Sequence, residues 1–287
     1  MKIWILGAGG LLGSALIDRC QAEGISFLAS KRSDVDITDL EALKKSADGS
    51  KCTHIINCAA FTDVDGAEKE SRAAFAINAI GAENASIVAR ENGMGLVHVS
   101  TDYVFDGNTS TPYTEEDKPN PINVYGKSKW EGEERVLEQF SSSCVVRTSW
   151  IFGHEGKSFI SSVLTWLKEK EHIQAVDDQI NRATYNRDLS GALIDLCCHS
   201  GLFHFANGRP LTRYEIAQDF LKEASSRGVA LKCQKITPVS FEAFPVASPR
   251  PAYSVLDTSK VQIALGRTPR SWETILKEYL DYVALRV

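Results

Sequence analysis

Lys2-Ile3-Trp4-Ile5-Leu6-Gly7-Ala8-Gly9-Gly10-Leu11-Leu12-Gly13 is the stretch whose reading decides the fold class. The apolar run after Lys2 has the length of a buried strand, and the glycine turn behind it runs directly into an amphipathic segment over 11–22. Gly7, Gly10 and Gly13 would let bare backbone approach a pyrophosphate, while the N-terminus of the next helix supplies N–H donors and the positive end of its dipole. A glycine turn can also merely pack a helix on a strand. The strand-glycine-helix context favours a dinucleotide. The run 3–17 superficially resembles a secretory leader, but Gly7, Gly9, Gly10 and Gly13 would weaken the helix a leader needs, and no small-residue cleavage site follows. No other apolar run approaches the roughly 18 residues that span a bilayer, so a cytoplasmic protein without membrane contact is expected.

Outward from this stretch, short apolar runs at 25–29, 53–57, 96–100 and 144–147 alternate with helical patterns at 40–47, 71–92 and 124–140. Such alternation indicates βαβ units and an α/β, Rossmann-type doubly wound parallel sheet. A capping box Thr38-x-x-Glu41 is expected to open the helix over 40–47. Past residue 150 the pattern loosens. Helices are expected at 159–170, 188–199, 213–227 and 272–285, with strands at 173–176 and 202–206. The organisation read from this is a nucleotide-binding part over 1–150, with elements from about 186–206, and a smaller C-terminal α/β substrate region mainly over 151–287. Ligands of a doubly wound sheet lie beyond the carboxyl ends of its strands, which directs attention to residues after 6, 29, 57, 100 and 147.

The 287 residues are 43% hydrophobic and 24% charged, which excludes a disordered or fibrous chain. With 32 basic and 37 acidic residues the net charge is −5, so nucleic acid is not expected as a partner. Seven cysteines, at 20, 52, 58, 144, 197, 198 and 233, contain no CxxC pair. Neither a disulfide framework nor a metal site is expected, and the vicinal Cys197 and Cys198 read as two small buried side chains.

The end of the second strand bears on which dinucleotide binds. A free ribose 2′-OH is usually met there by Asp or Glu, whereas a 2′-phosphate attracts cations and hydroxyls. The chain carries Ala29-Ser30-Lys31-Arg32, so NADPH is favoured, with NADH left open; two solvated surface cations are the alternative reading. Asp36 and Ile37 would then border the adenine. Tyr125 and Lys129 stand at i and i+4 and share one helical face. A neighbouring ammonium lowers the pKa of a phenol that otherwise titrates near 10, and Ser100-Thr101 at a strand end can offer a hydroxyl to the same oxygen.

These elements resemble the extended short-chain dehydrogenases and reductases, whose glycine loop has the same GxxGxxG spacing. Longer strings narrow the resemblance to the dTDP-4-dehydrorhamnose reductase family: Asn57-Cys58-Ala59-Ala60-Phe61-Thr62-Asp63-Val64-Asp65, Ser100-Thr101-Asp102-Tyr103-Val104-Phe105-Asp106-Gly107, Pro121-Ile122-Asn123-Val124-Tyr125-Gly126-Lys127-Ser128-Lys129, Arg147-Thr148-Ser149-Trp150 and Arg250-Pro251. The resemblance implies that Tyr125 donates a proton, Lys129 tunes it and holds the nicotinamide ribose, and Thr101 orients a ketone. It implies cofactor positions at Gly10, Leu11, Leu12, Ser30, Asp36, Ile37, Ala60, Phe61 and Thr62. Sugar-nucleotide positions are implied at Val64, Thr101, Asp102, Tyr103 and Trp150, with Arg250 on the diphosphate. A core aromatic is the alternative for Trp150, and a surface salt bridge the alternative for Arg250. The implied reaction is NADPH-dependent reduction of the C4 ketone of a dTDP-linked 6-deoxy-4-keto sugar, with dTDP-L-rhamnose as product. A homodimer stays open.

Within that resemblance, Thr101-Asp102 is followed by Tyr103 rather than the Glu of related dehydratases, which removes the base that elimination needs. One string departs from the family: Asp-Gln-x-Gly-x-Pro-Thr reads Asp178-Gln179-Ile180-Asn181-Arg182-Ala183-Thr184 here. A sister reductase, such as the dTDP-dihydrostreptose-forming branch, therefore stays open. So does a non-catalytic subunit like the regulatory subunit of methionine adenosyltransferase, which shares the fold and similar strings.

Overall fold

The computed structural model describes residues 1–154, 156, 158–244 and 248–284. In chain order the first elements are β1 (Lys2–Leu6), α1 (Leu11–Ala22), β2 (Ser26–Ser30), α2 (Leu40–Ala47), β3 (His54–Asn57) and α3 (Val64–Lys69). Next come α4 (Ser71–Phe75), α5 (Gly81–Glu91), β4 (Gly95–Thr101), α6 (Val124–Gln139), β5 (Cys144–Thr148) and β6 (Ile151–Phe152). The remainder is α7 (Phe159–Glu169), β7 (His172–Val176), β8 (Ile180–Asn181), β9 (Thr184–Tyr185), α8 (Asn186–Asp195) and β10 (Gly201–Phe205). The chain then forms β11 (Leu211–Thr212), α9 (Arg213–Ser226), β12 (Lys235–Val239), α10 (Ser259–Leu265) and α11 (Trp272–Ala284).

Six strands form one parallel sheet in the order β10-β5-β4-β3-β1-β2. β1 shows why a continuous apolar run suits this position. Ile3 and Ile5 point into a core shared with α1 and α8, while Trp4 and Leu6 point into a second core shared with α2 and α5. Both faces are covered, and all four side chains are fully buried. Trp4 buries its polar atom too, because its indole N–H donates to Ser30 Oγ at 2.9 Å. A third core, built around Phe152, Tyr185, Phe220 and Trp272, joins α7, α9 and α11. It packs beside the short strand pairs β7–β12 and β8–β11.

Several expectations are corrected. Asp39, not Thr38, caps α2: its carboxylate accepts from Ala42 N–H at 3.0 Å, while the Thr38 hydroxyl donates to Asp36 at 2.8 Å. The helix expected over 71–92 is interrupted by a π turn at Ala76–Ile80. The wider turn presents buried Asn78, whose amide donates to Ser128 Oγ and Phe61 O and whose carbonyl accepts from Phe61 N–H. The strand expected at 202–206 runs one residue earlier, Gly201–Phe205, and pairs with β5 as β10 in the main sheet. The helix expected at 188–199 starts at Asn186 and tightens into a 3₁₀ turn at Leu196–Cys198, which buries Cys197 but leaves Cys198 exposed. Helices α3 and α10 were not expected; they span only six and seven residues, too short for periodicity to reveal. Residue 285 of the expected last helix lies outside the described residues. Among the described residues no helix is long and apolar enough to cross a membrane. None of their His, Cys, Asp and Glu side chains gather in threes that could hold a metal.

Candidate active site

The order of the sheet reverses between β1 and β3, and a crevice must open at their carboxyl ends because the following connections leave in opposite directions. There the structure has a cavity of about 680 Å³. Gly7 adopts φ +80°, and a Cβ on it would lie 2.6 Å from Ala59 N on the neighbouring strand's loop. A Cβ on Gly13 would lie 2.3 Å from the Gly7 carbonyl, so α1 approaches β1 only through bare backbone. The N-cap of α1, Gly10, makes no side-chain cap and the first turn carries no acid, leaving the helix N-terminus open to an anion. Gly7, Gly10, Leu11, Leu12 and Gly13 all line the cavity, together with Gly9, which the loop reading did not single out.

Lys31, Arg32, Asp36 and Ile37 also line this end of the cavity. Lys31 and Arg32 are exposed, and the Arg32 guanidinium lies 3.6 Å from Asp36. Hydrogen bonds from the Thr38 backbone and hydroxyl hold Asp36 below the usual carboxylate range. Ser30 does not reach the cavity wall. It is 6% exposed, its hydroxyl takes the Trp4 indole and its carbonyl accepts from Gly7 and Ala8 N–H. Ala60 and Thr62 line the wall, but Phe61 is absent from it and bonds through its backbone to Asn78.

Deeper in, Tyr125 and Lys129 face the cavity one turn apart on α6, opposite Thr101 at the end of β4. Asn123 sets the start of α6: its carbonyl oxygen caps Gly126 N–H at 2.7 Å and its amide donates to Pro249 O. Lys129 is 2% exposed, and its ammonium donates to Val99 O at 2.7 Å. Burial pulls this ammonium down to about 8, against the opposing charge of Glu133 and Cys58. Burial pushes the Tyr125 phenol above its ordinary value; a Thr101 hydrogen bond opposes the shift, and Asp102 and Tyr103 add to it. Lys129 is not among the groups that shift the phenol here, and its ammonium donates to the Val99 carbonyl. The phenol is held in its protonated form.

Val64, Asp102, Tyr103 and Trp150 also line the cavity. Trp150 adopts φ +40°, an unusual conformation for a bulky residue, and its ring lies 5.0 Å from the Arg213 guanidinium. Arg213 also stacks on Phe159 at 4.9 Å, and its Nε is buried with no hydrogen-bond partner among the described residues. Burial pulls Arg213 down, and nearby Arg250 adds to this. Arg250 itself stands behind the wall: it pairs with Asp65 at 2.9 Å and lies 5.9 Å from the Tyr103 ring. The Arg250 side chain is 11% exposed and that of Asp65 39%, so the pair sits at the edge of the surface, as the salt-bridge alternative has it. Arg213 was missed by sequence reasoning. A lone arginine at the first position of a helix carries no motif, and only the fold sets it over Trp150. Ser149 and Thr148, within the recognised Arg147-Thr148-Ser149-Trp150 string, also line the cavity.

The RmlD substrate binding domain family matches residues 1–285. The chain is 36% identical over 281 residues to the spore coat polysaccharide biosynthesis protein SpsK of Bacillus subtilis (strain 168), covering 98% of this chain and 97% of that one. It is 37% identical over 284 residues to dTDP-4-dehydrorhamnose reductase of Mycobacterium tuberculosis (strain ATCC 25618 / H37Rv), covering 96% and 91%. Among solved structures, dTDP-4-dehydrorhamnose reductase from Bacillus anthracis str. Ames in complex with NADP superimposes with TM-score 0.91 at 34% identity, covering 98% of this chain and 99% of that chain.

Proposed function

Since the chain belongs to the RmlD substrate binding domain family, we propose that it is an NADPH-dependent reductase of the C4 ketone of a dTDP-linked 6-deoxy-4-keto sugar, dTDP-4-dehydro-L-rhamnose. The observation that carries this reading is that Tyr125, Lys129 and Thr101 meet on the wall of the same cavity as the open N-terminus of α1. The uncapped helix start and bare Gly7 and Gly10 fit a pyrophosphate, and Lys31 and Arg32 fit a 2′-phosphate. NADPH, when bound, supplies the hydride. Tyr125 then gives its proton to the new alkoxide, which is a far stronger base than a phenolate, so a raised phenol pKa does not obstruct the transfer. Thr101 supports the same oxygen, and Lys129 takes the ribose. Trp150, Val64, Asp102 and Tyr103 shape the sugar-nucleotide end, with Arg213 and Arg250 as its cations. In this reading residues 1–150, with α8 and β10, form the nucleotide-binding part, and 151–287 supply most of the substrate region.

The test uses NADPH deuterated at the transferable C4 position. Incubation with dTDP-4-dehydro-L-rhamnose is expected to leave one deuterium at sugar C4 and yield dTDP-L-rhamnose. Deuterium elsewhere or a ring-contracted product moves the chain to a sister reductase, the second reading that Asn181 and Arg182 in the departed string favour. A chain that oxidises no NADPH with any 4-keto-sugar nucleotide is not a reductase.

Cofactor choice is checked separately. NADPH is expected to bind more tightly than NADH, and Lys31→Ala with Arg32→Ala to remove about 1–3 kcal/mol of that margin, the range for hydrogen bonds to a charged group. Equal affinities in the native protein, measured by fluorescence titration, would reject the role of both cations.

A further inference from the structure

Asp102 is 2% exposed, and each of its carboxylate oxygens has a different set of partners. Oδ2 accepts from Asn181 Nδ2 at 2.7 Å and from Ser254 Oγ at 2.7 Å. Asn181 spends its second amide hydrogen on Ser254 Oγ at 2.8 Å, and its carbonyl accepts from Arg182 N–H at 2.8 Å. The orientation of the amide is therefore fixed by a backbone donor. Backbone pairing delivers both residues to this point: Ile180 N–H donates to Ala252 O, and Ser254 N–H donates to Ile180 O. Among the side chains of the described residues Oδ1 accepts only the Thr101 hydroxyl, at 3.1 Å, and Thr101 Oγ1 in turn accepts from Tyr103 N–H at 3.2 Å.

A carboxylate oxygen has two lone pairs, and both on Oδ2 are taken. A proton arriving at Asp102 must therefore sit on Oδ1, facing Thr101. While the carboxylate is ionised, Thr101 gives its only proton to Oδ1 and turns its remaining lone pair to the cavity side, toward its other hydrogen-bond partner, the Tyr125 phenol. Once Oδ1 is protonated, it donates to Thr101 Oγ1, whose lone pairs are then filled by Oδ1–H and Tyr103 N–H. The Thr101 proton must turn toward the cavity, where Tyr125 stands. We propose that Asn181 and Ser254 are positioning residues that saturate Oδ2, so that protonation of Asp102 switches Thr101 from acceptor to donor at the ketone oxygen. The family's string has glycine where Asn181 stands, so this chain supplies the amide with its own side chain.

The groups facing Asp102 agree with a switch in an accessible range. Burial raises its carboxyl to about 6, against the hydrogen bonds from Ser254, Asn181, Thr101 and its own backbone N–H, which favour the charged form. Tyr125 on α6 and Tyr103 on its own turn are its titratable neighbours, and both stay protonated. Behind Tyr103 stand Arg213 of α9, Arg250 and Asp65 of α3.

The proposal rests on the ketone-reductase reading but has a readout that needs no substrate. With Asp Cγ labelled by ¹³C and the signal assigned by Asp102→Asn, the native carboxyl is expected to titrate near 6. Asn181→Ala and Ser254→Ala each remove a donor to the charged form, so the midpoint should rise by about 1–2 pH units in each. In turnover, native kcat is expected to rise by about 10²–10³-fold as pH falls through that midpoint, the scale of one oxyanion donor, and Thr101→Val to abolish the rise. Unmoved midpoints in both variants, or a low-pH rise that survives in Thr101→Val, overturn the proposal. Loss of thermal stability without a moved midpoint reduces Asn181 to packing. A native protein that turns over no 4-keto sugar defeats the reductase reading instead, and the carboxyl titration still decides whether Asn181 and Ser254 govern Asp102.

Discussion

Tyr125→Phe is expected to lower turnover by about 10²–10⁴-fold, the usual cost of removing a general acid, while NADPH affinity stays within about twofold. The ring remains, so its edge contact with Tyr103, at 5.8 Å between centroids, survives the substitution. Only the hydroxyl is lost, and with it the proton that the described surroundings keep on the phenol. Burial and the neighbouring Asp102 and Tyr103 all disfavour phenolate, and Lys129 is committed to Val99 O rather than to Tyr125. In the proposed reaction the side chain holds its proton until the alkoxide, a stronger base, forms beside it. Single-turnover oxidation of NADPH in the presence of the keto sugar measures the step directly. Turnover in Tyr125→Phe within about threefold of native would remove Tyr125 from the proton transfer.

The largest effect on stability is expected from Arg147→Met. Arg147 of β5 and Glu133 of α6 are 3% and 4% exposed, and join through Nε to both carboxylate oxygens, at 2.9 and 3.1 Å, and through Nη2 to Oε2 at 2.6 Å. The guanidinium also stacks over Phe105 at 5.0 Å. Removing the cation leaves Glu133 buried and unpaired, which costs about 3–5 kcal/mol in such settings. The double substitution Arg147→Met with Glu133→Leu removes both charges and is expected to recover most of that loss, since a well-packed apolar pair often replaces a buried ion pair without penalty. Urea unfolding of the single and double variants gives the comparison. A loss under about 1 kcal/mol in Arg147→Met would mean that the pair behaves like an exposed bridge. Because Glu133 sits one turn past Lys129 and favours its charge, the single variant Glu133→Gln is also expected to shift the Lys129 titration further down.

What could be read from residues alone was whatever depends on neighbours in the chain. The apolar run of β1, the glycine turn and α1 are one local pattern, and the bounds 2–6 and 11–22 agree with the structure. Tyr125 and Lys129 converge because four residues make a turn of helix, and that spacing is visible before any fold is known. Caps and short helices blurred the same reading, as at Asp39, because adjacent residues with similar side chains compete for one helix end and only the backbone angles choose between them.

Tertiary structure alone decided the contacts between residues far apart in sequence. Asn181 meets Asp102 across 79 positions, and Asn78 bridges Phe61 and Ser128 through a π turn that periodicity reads as ordinary helix. Arg213 reaches Trp150, and Ser30 leaves the cavity wall to accept the Trp4 indole. Each of these side chains has several chemically acceptable partners, and the sequence carries no distance between them. The choice is made by which strands pair and how closely the helices pack, and burial then makes every unpaired polar atom costly enough to settle the partner.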